Sequence, residues 1–157
     1  NMSAEARPAL HEFGLIFDEN AWPLAYVRFP SKPLSDDGFE YFIERYTAMV
    51  ERRHPFATIL DSRGLTTAIT AYQRKRLTDW FEVTGELAGE YHFGIAVLIN
   101  NALIRGALKA VTWVKPVPVP IMPFGSIADA APWVREIFGD QRIPITPEIE
   151  LLLAGRS

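Results

Sequence analysis

The loop "DSRG" (61–64) sets a serine, Ser62, directly beside a carboxylate, Asp61, and residue types in that order suggest chemistry. A serine attacks only when a base, usually histidine, is held within hydrogen-bond reach. The chain has three histidines, His11, His54 and His92. His11 falls in the N-terminal lead-in, and His54 precedes Pro55 at a strand start. His92 stands just ahead of a strand, at the end opposite the loop after Asp61. In a parallel sheet none of them reaches Ser62, so the sequence predicts no catalytic residue and a domain that is not an enzyme.

Other chemistries are bounded by missing patterns. No His-x-x-His, no cysteine pair and no acidic cluster at ligand spacing occurs, so no metal site is expected. The acids of "DDGFE" (36–40) sit where a helix start favours negative charge. Neither Gly-x-Gly-x-x-Gly nor Gly-x4-Gly-Lys-Ser/Thr is present, so no cofactor is expected.

Binding residues are better represented. Asp61 and Asn100 end neighbouring strands, Arg63 follows the first, and Asn101 and Arg105 open the helix after the second. Ligands of open α/β sheets gather beyond the carboxyl ends of the strands. These five residues could therefore line a small polar pocket for a ligand or partner, with Arg105 as an anion anchor. The alternative is that Asp61 pairs with Arg105 and only fixes the loops.

Thr70 has Gln73 three residues on, the spacing of a capping box. It reads either as a helix cap or as a regulated hydroxyl, a phosphoacceptor. "RKR" (74–76) lies in the first turns of the same helix, where cations are unfavourable. Like "ERRH" (51–54), it reads as a solvated basic face. Arg74 and Arg76 are also candidates for a partner surface, because an acidic partner or a phosphate at that helix start would relieve the misplaced charge. Trp113 and Trp133 lie at the edges of their helical stripes, and an exposed aromatic can anchor an interface, here that of a homodimer.

These residues must be positioned by one core. The chain has 157 residues, a length that suits a single domain. Its 48% hydrophobic and 22% charged content is that of a globular protein. A net charge of −3 provides no positive field for nucleic acid or an anionic membrane. There is no cysteine, which excludes a disulfide scaffold and fits a cytoplasmic location. Apolar runs are as short as "IAVLI" (95–99), so no membrane insertion is expected. The first ten residues have no signal-peptide pattern, and Asn1 ahead of Met2 resembles the scar of a tag.

The elements follow from periodicity. "FGLIF" (13–17) and "LAYVRF" (24–29) are short β-favouring runs joined by a turn, hence an antiparallel pair. "SDDGFEYFIERYTAMVERR" (35–53) is helical by its three- and four-residue steps, with Asp37 and Glu40 at capping-box spacing. "FATIL" (56–60) and "GIAVLIN" (94–100) read as strands covered on both faces. Between them, Leu77, Trp80, Phe81, Thr84, Leu87, Ala88 and Tyr91 make the apolar stripe of a second helix.

A helix over 101–114 and a strand over 117–124 come next. Pro118 and Pro120 place that strand at the sheet edge. A helix over 126–139 opens at Ser126 and closes at Gly139, and a short last helix starts at Thr146-Pro147. The order β-β-α-β-α-β-α-β-α predicts one α/β domain with a mixed, mostly parallel five-stranded sheet flanked by helices. The expected divisions are a loose lead-in (1–12), the domain (13–139) and a C-terminal extension with a short helix (140–157).

This order, with "ATILD" leading through a loop into a helix, resembles the STAS domain. "AVLINNALIRGALKAVTWV", "PF" and "SIADAAPWV" resemble a bacterial subgroup described as STAS or SEC14-like. The likeness spans residues 13–139. It implies regulatory protein–protein interaction of the kind made by anti-sigma-factor antagonists, with a kinase-like or sigma-regulatory partner. Signalling members carry an Asp-Ser-Ser-Gly motif whose serine, about nine residues after the acidic strand end, is phosphorylated. Nine residues after Asp61 lies Thr70, preceded by Ile69 where the family has aspartate. The SEC14-like label implies the alternative, a small-ligand or lipid-binding module, for which an apolar cavity under the second and third helices would be decisive.

Overall fold

A computed structural model of the chain describes residues 13–100 and 118–155, the backbone of residues 9 and 10, and residues 102 and 106. It is an α/β domain built on one sheet in the order β1-β2-β3-β4-β5-β6. The strands are β1 (Ala9–Leu10), β2 (Ile16–Asp18), β3 (Leu24–Arg28), β4 (Phe56–Asp61), β5 (His92–Leu98) and β6 (Ile121–Phe124). The described helices are α1 (Asp36–Val50), α2 (Ala71–Tyr91), α3 (Ile127–Asp140) and α4 (Pro147–Gly155). Residues 102 and 106 are helical and exposed. The rest of the helix expected over 101–114 lies outside the described residues.

The β1–β2 and β2–β3 pairs are antiparallel, and β3–β4, β4–β5 and β5–β6 are parallel. The mixed, mostly parallel sheet is thus the expected one with a further two-residue strand, because Ala9 and Leu10 of the expected lead-in pair with Phe17 and Ile16. β6 is an edge strand, as its prolines require, although Pro118 and Pro120 precede it and Pro123 lies within it. The carbonyls of Pro120 and Phe124 accept from β5. By alternation Pro123 turns its missing N–H toward the open edge, where no ladder bond is lost.

Caps decide where the helices begin. Ser35, not the expected Asp37–Glu40 pair, caps α1 by accepting from the Gly38 amide at 3.0 Å. Ser126 does the same for α3 through the Asp129 amide at 3.1 Å, and Thr146 accepts from Ile149 at 3.2 Å ahead of α4. α3 continues through Gly139 to Asp140 instead of stopping at the glycine.

Each face of the sheet has its own core. On one face α3 and α4 cover Leu24, Tyr26, Ala57, Ile59, Ala96 and Leu98. Small residues bring α3 close: a Cβ at Gly94 would lie 2.5 Å from Ile137 and 3.1 Å from Trp133. Ile149, Leu152 and Leu153 of α4 are buried in this core, so the C-terminal extension is an integral layer of the domain. On the opposite face α1 covers Val27, Phe56 and their neighbours with Phe39, Phe42, Ile43, Tyr46, Met49 and Val50. Burial of each such side chain stabilises by about 1.5–3 kcal/mol.

Candidate functional site, an apolar cavity under the first two helices

Strands β3 to β6 lie in chain order. Crossovers of a single hand therefore place α1 and α2 on the same face. The strand order does not reverse, so the crevice that a reversal opens in other α/β sheets is not formed among the described residues. A concavity lies elsewhere, between the sheet and the two helices.

That cavity has a volume of about 170 Å³. Its wall combines Phe42, Ile43 and Tyr46 of α1, Leu77, Trp80 and Phe81 of α2, and Val97 of β5. Leu65, Ala68 and Ile69, from the loop between β4 and α2, close one end. Of the expected stripe of α2, Trp80 and Ala88 are buried, whereas Leu77, Phe81 and Leu87 are only half-buried. Leu77 and Phe81 face the cavity.

Polar groups in the wall are already engaged with the protein. The Tyr46 hydroxyl lies 2.6 Å from both Thr58 Oγ1 and His92 Nε2. Trp80 donates its indole N–H to Thr47 Oγ1 at 2.7 Å. The Ser62 hydroxyl donates to the Leu98 carbonyl at 2.9 Å. No buried polar side-chain atom among the described residues lacks a partner.

His92 is buried and stacked on Phe56, with ring centroids 4.2 Å apart. Burial pushes its imidazole down to about 3, against a smaller opposing effect from the Phe56 carbonyl. The ring is therefore neutral. Its Nδ1–H faces the Phe56 carbonyl at 3.3 Å, which leaves Nε2 to accept from Tyr46. Burial also raises the Tyr46 hydroxyl above its ordinary value.

Asp61, one of the polar residues that the sequence singles out, is held with Tyr26 on the other face of the sheet. Tyr26 donates to Asp61 Oδ2 at 2.5 Å, and Arg63 reaches both carboxylate oxygens at 3.0 and 2.9 Å. Burial alone would raise the Asp61 carboxyl, but hydrogen bonds from Arg63 and Tyr26 outweigh it and hold it below its ordinary value. Burial, together with the Asp61 contact, pushes the Tyr26 hydroxyl up to about 12. Asp61 is thus fixed by Arg63 within its own loop. Asn100 is exposed, and Asn101 and Arg105 lie outside the described residues, so the five-residue polar pocket is not assembled from described side chains. Ser62 donates its hydroxyl to the Leu98 carbonyl, and neither described histidine, His54 or His92, is bonded to it.

Thr70 caps α2 as its spacing predicts. It accepts from the Gln73 amide at 3.1 Å, and Gln73 Oε1 accepts from the Thr70 amide at 3.3 Å. Gln73 is buried and also donates to the Leu34 carbonyl at 2.8 Å and to Asp36 at 3.2 Å. It thereby ties the start of α2 to the start of α1, which its local spacing does not announce. Within "RKR", Lys75 pairs with Asp79 at 3.1 Å and Arg76 with Glu40 at 2.7 Å. Arg74 donates to the Ile69 carbonyl at 3.1 Å and forms no ion pair among the described residues. Trp133 is half-buried against Phe124, and Trp113 lies outside the described residues.

No described cluster of three or more histidine, aspartate or glutamate residues could hold a metal ion. No described helix is long and apolar enough to cross a membrane. No family model matches the chain, and neither a curated protein nor a solved structure matches it significantly.

Proposed function

We propose that this domain works by binding, and that its binding site is the apolar cavity between the sheet and helices α1 and α2. One observation carries this reading: a partly open cavity of about 170 Å³ whose wall offers apolar surface while its polar side chains are hydrogen-bonded to the protein. An engineered cavity of roughly 150 Å³ with such a lining stays dry and takes up benzene or xenon. The size therefore suits one ring or a short chain, smaller than a drug-sized ligand. This is the small-ligand alternative implied by the SEC14-like resemblance, although the cavity lies under the first and second helices, and the third expected helix, under which it was expected to extend, lies largely outside the described residues. Calorimetry with ethylbenzene tests it. The wild type should bind, and Val97→Phe, which fills the cavity from β5, should remain folded and not bind. Equal binding by both proteins, or by neither, would contradict the proposal.

A regulatory surface is the second reading, and one observation favours it. Thr70 is exposed at the start of α2, at the end of the loop that closes the cavity. Phosphorylation there would add nearly two negative charges at a helix N-terminus. This reading keeps the STAS-like role, with a kinase-like or sigma-regulatory partner. Recovery from a host lysate should then differ between Thr70→Ala and Thr70→Glu baits; identical recoveries would count against it.

A further inference from the structure

Arg74 stands apart in the cavity wall. Every other described lining residue is buried or half-buried, and Arg74 alone is exposed. It is also the only charged residue among them. Its guanidinium therefore lies at the rim, held toward the closing loop by the Ile69 carbonyl 3.1 Å away.

Two independent circumstances leave this cation in need of an anion. Its neighbours in "RKR" are neutralised within the protein, Lys75 by Asp79 and Arg76 by Glu40, whereas Arg74 pairs with no described carboxylate. It also sits in the first turn of α2, where the helix dipole disfavours positive charge. An anion at that position would be attracted by both.

We infer that the cavity takes a small apolar molecule bearing a carboxylate, an aromatic or short-chain acid, with its hydrocarbon inside and its carboxylate on Arg74. This rests on the cavity being a binding site. The wall selects against neutral polar groups, since the hydroxyls of Tyr46 and Ser62 and the indole N–H of Trp80 are already bonded to the protein. An unpaired polar group inside would lose its water with nothing in exchange. A carboxylate at the rim keeps part of its hydration and gains a charge-assisted hydrogen bond.

The test is isothermal titration at neutral pH with three probes, 3-phenylpropionate, ethylbenzene and acetate, on the wild type and Arg74→Gln. Arg74 is exposed, so the variant should fold, which a thermal melt checks. The expected result is 3-phenylpropionate binding at least about tenfold weaker to Arg74→Gln, ethylbenzene binding both proteins equally, and acetate giving no heat. Unchanged 3-phenylpropionate affinity in Arg74→Gln, with ethylbenzene still bound, would overturn the role of Arg74 and leave the cavity reading standing. Acetate competing as well as 3-phenylpropionate would also overturn it. Absence of binding by both ethylbenzene and 3-phenylpropionate would remove the cavity reading, and this inference with it.

Discussion

The two faces of the sheet are built from alternate residues of the same strands, yet they pack differently. On the α3 and α4 face the central positions are small, with Ala57, Gly94 and Ala96, and the helix layer descends until nothing larger fits. On the α1 and α2 face the side chains are large, including Phe29, Phe39, Phe42, Tyr46 and Trp80, and all five line the cavity. Small residues let a layer close, whereas rigid aromatic rings meeting at an angle leave space that no neighbour fills. Both faces bury a core, and the α1 and α2 face also holds the cavity.

Each face also buries a polar cluster built on a strand residue. Tyr26, Asp61 and Arg63 form an ionised knot on the closed face, and Thr58, Tyr46 and His92 a neutral one on the cavity face. Both tie a strand to a neighbouring element, but they respond to acid over different ranges.

Adjacent residues of β5 give the sharpest test of the contrast. Ala96→Phe should force apart the closed face and cost about 3 kcal/mol or more. Val97→Phe, one residue on, points into the cavity and should change stability by less than about 1 kcal/mol. Urea unfolding measures both, and similar costs would erase the distinction between the faces.

A smaller effect separates the polar clusters by pH. In the unfolded chain His92 takes up a proton below about pH 6.5, whereas in the folded protein it stays neutral down to about 3. The unfolded state then binds more protons, so stability should fall on acidification through that window, by roughly 1 kcal/mol per pH unit. His92→Gln should flatten this slope. Asp61, whose carboxyl is held below its ordinary value, keeps its contribution above about pH 4 and loses it only at lower pH. A wild-type stability that is flat between pH 6 and pH 4 would remove the cavity-face cluster from the account.

Much of this architecture is legible in the sequence, because periodicity and caps are local signals. The stripe of α1, the double-faced run "FATIL" and the Thr70–Gln73 box all appear where their spacing puts them. The edge position of β6 follows from proline chemistry. Less legible is whatever depends on three elements meeting. Asp61 takes its partner two residues away in Arg63, and Gln73 bridges to Leu34 across the fold. The cavity has no sequence signature, since Ile43, Leu77, Trp80 and Val97 would read identically in a filled core.

The most direct measurement is a crystal structure under xenon pressure. Xenon enters dry apolar cavities of this size and needs no head group. The account predicts a xenon atom between Ile43, Trp80 and Val97 in the wild type, and none there in Val97→Phe. A wild-type crystal with no xenon at that place would contradict it.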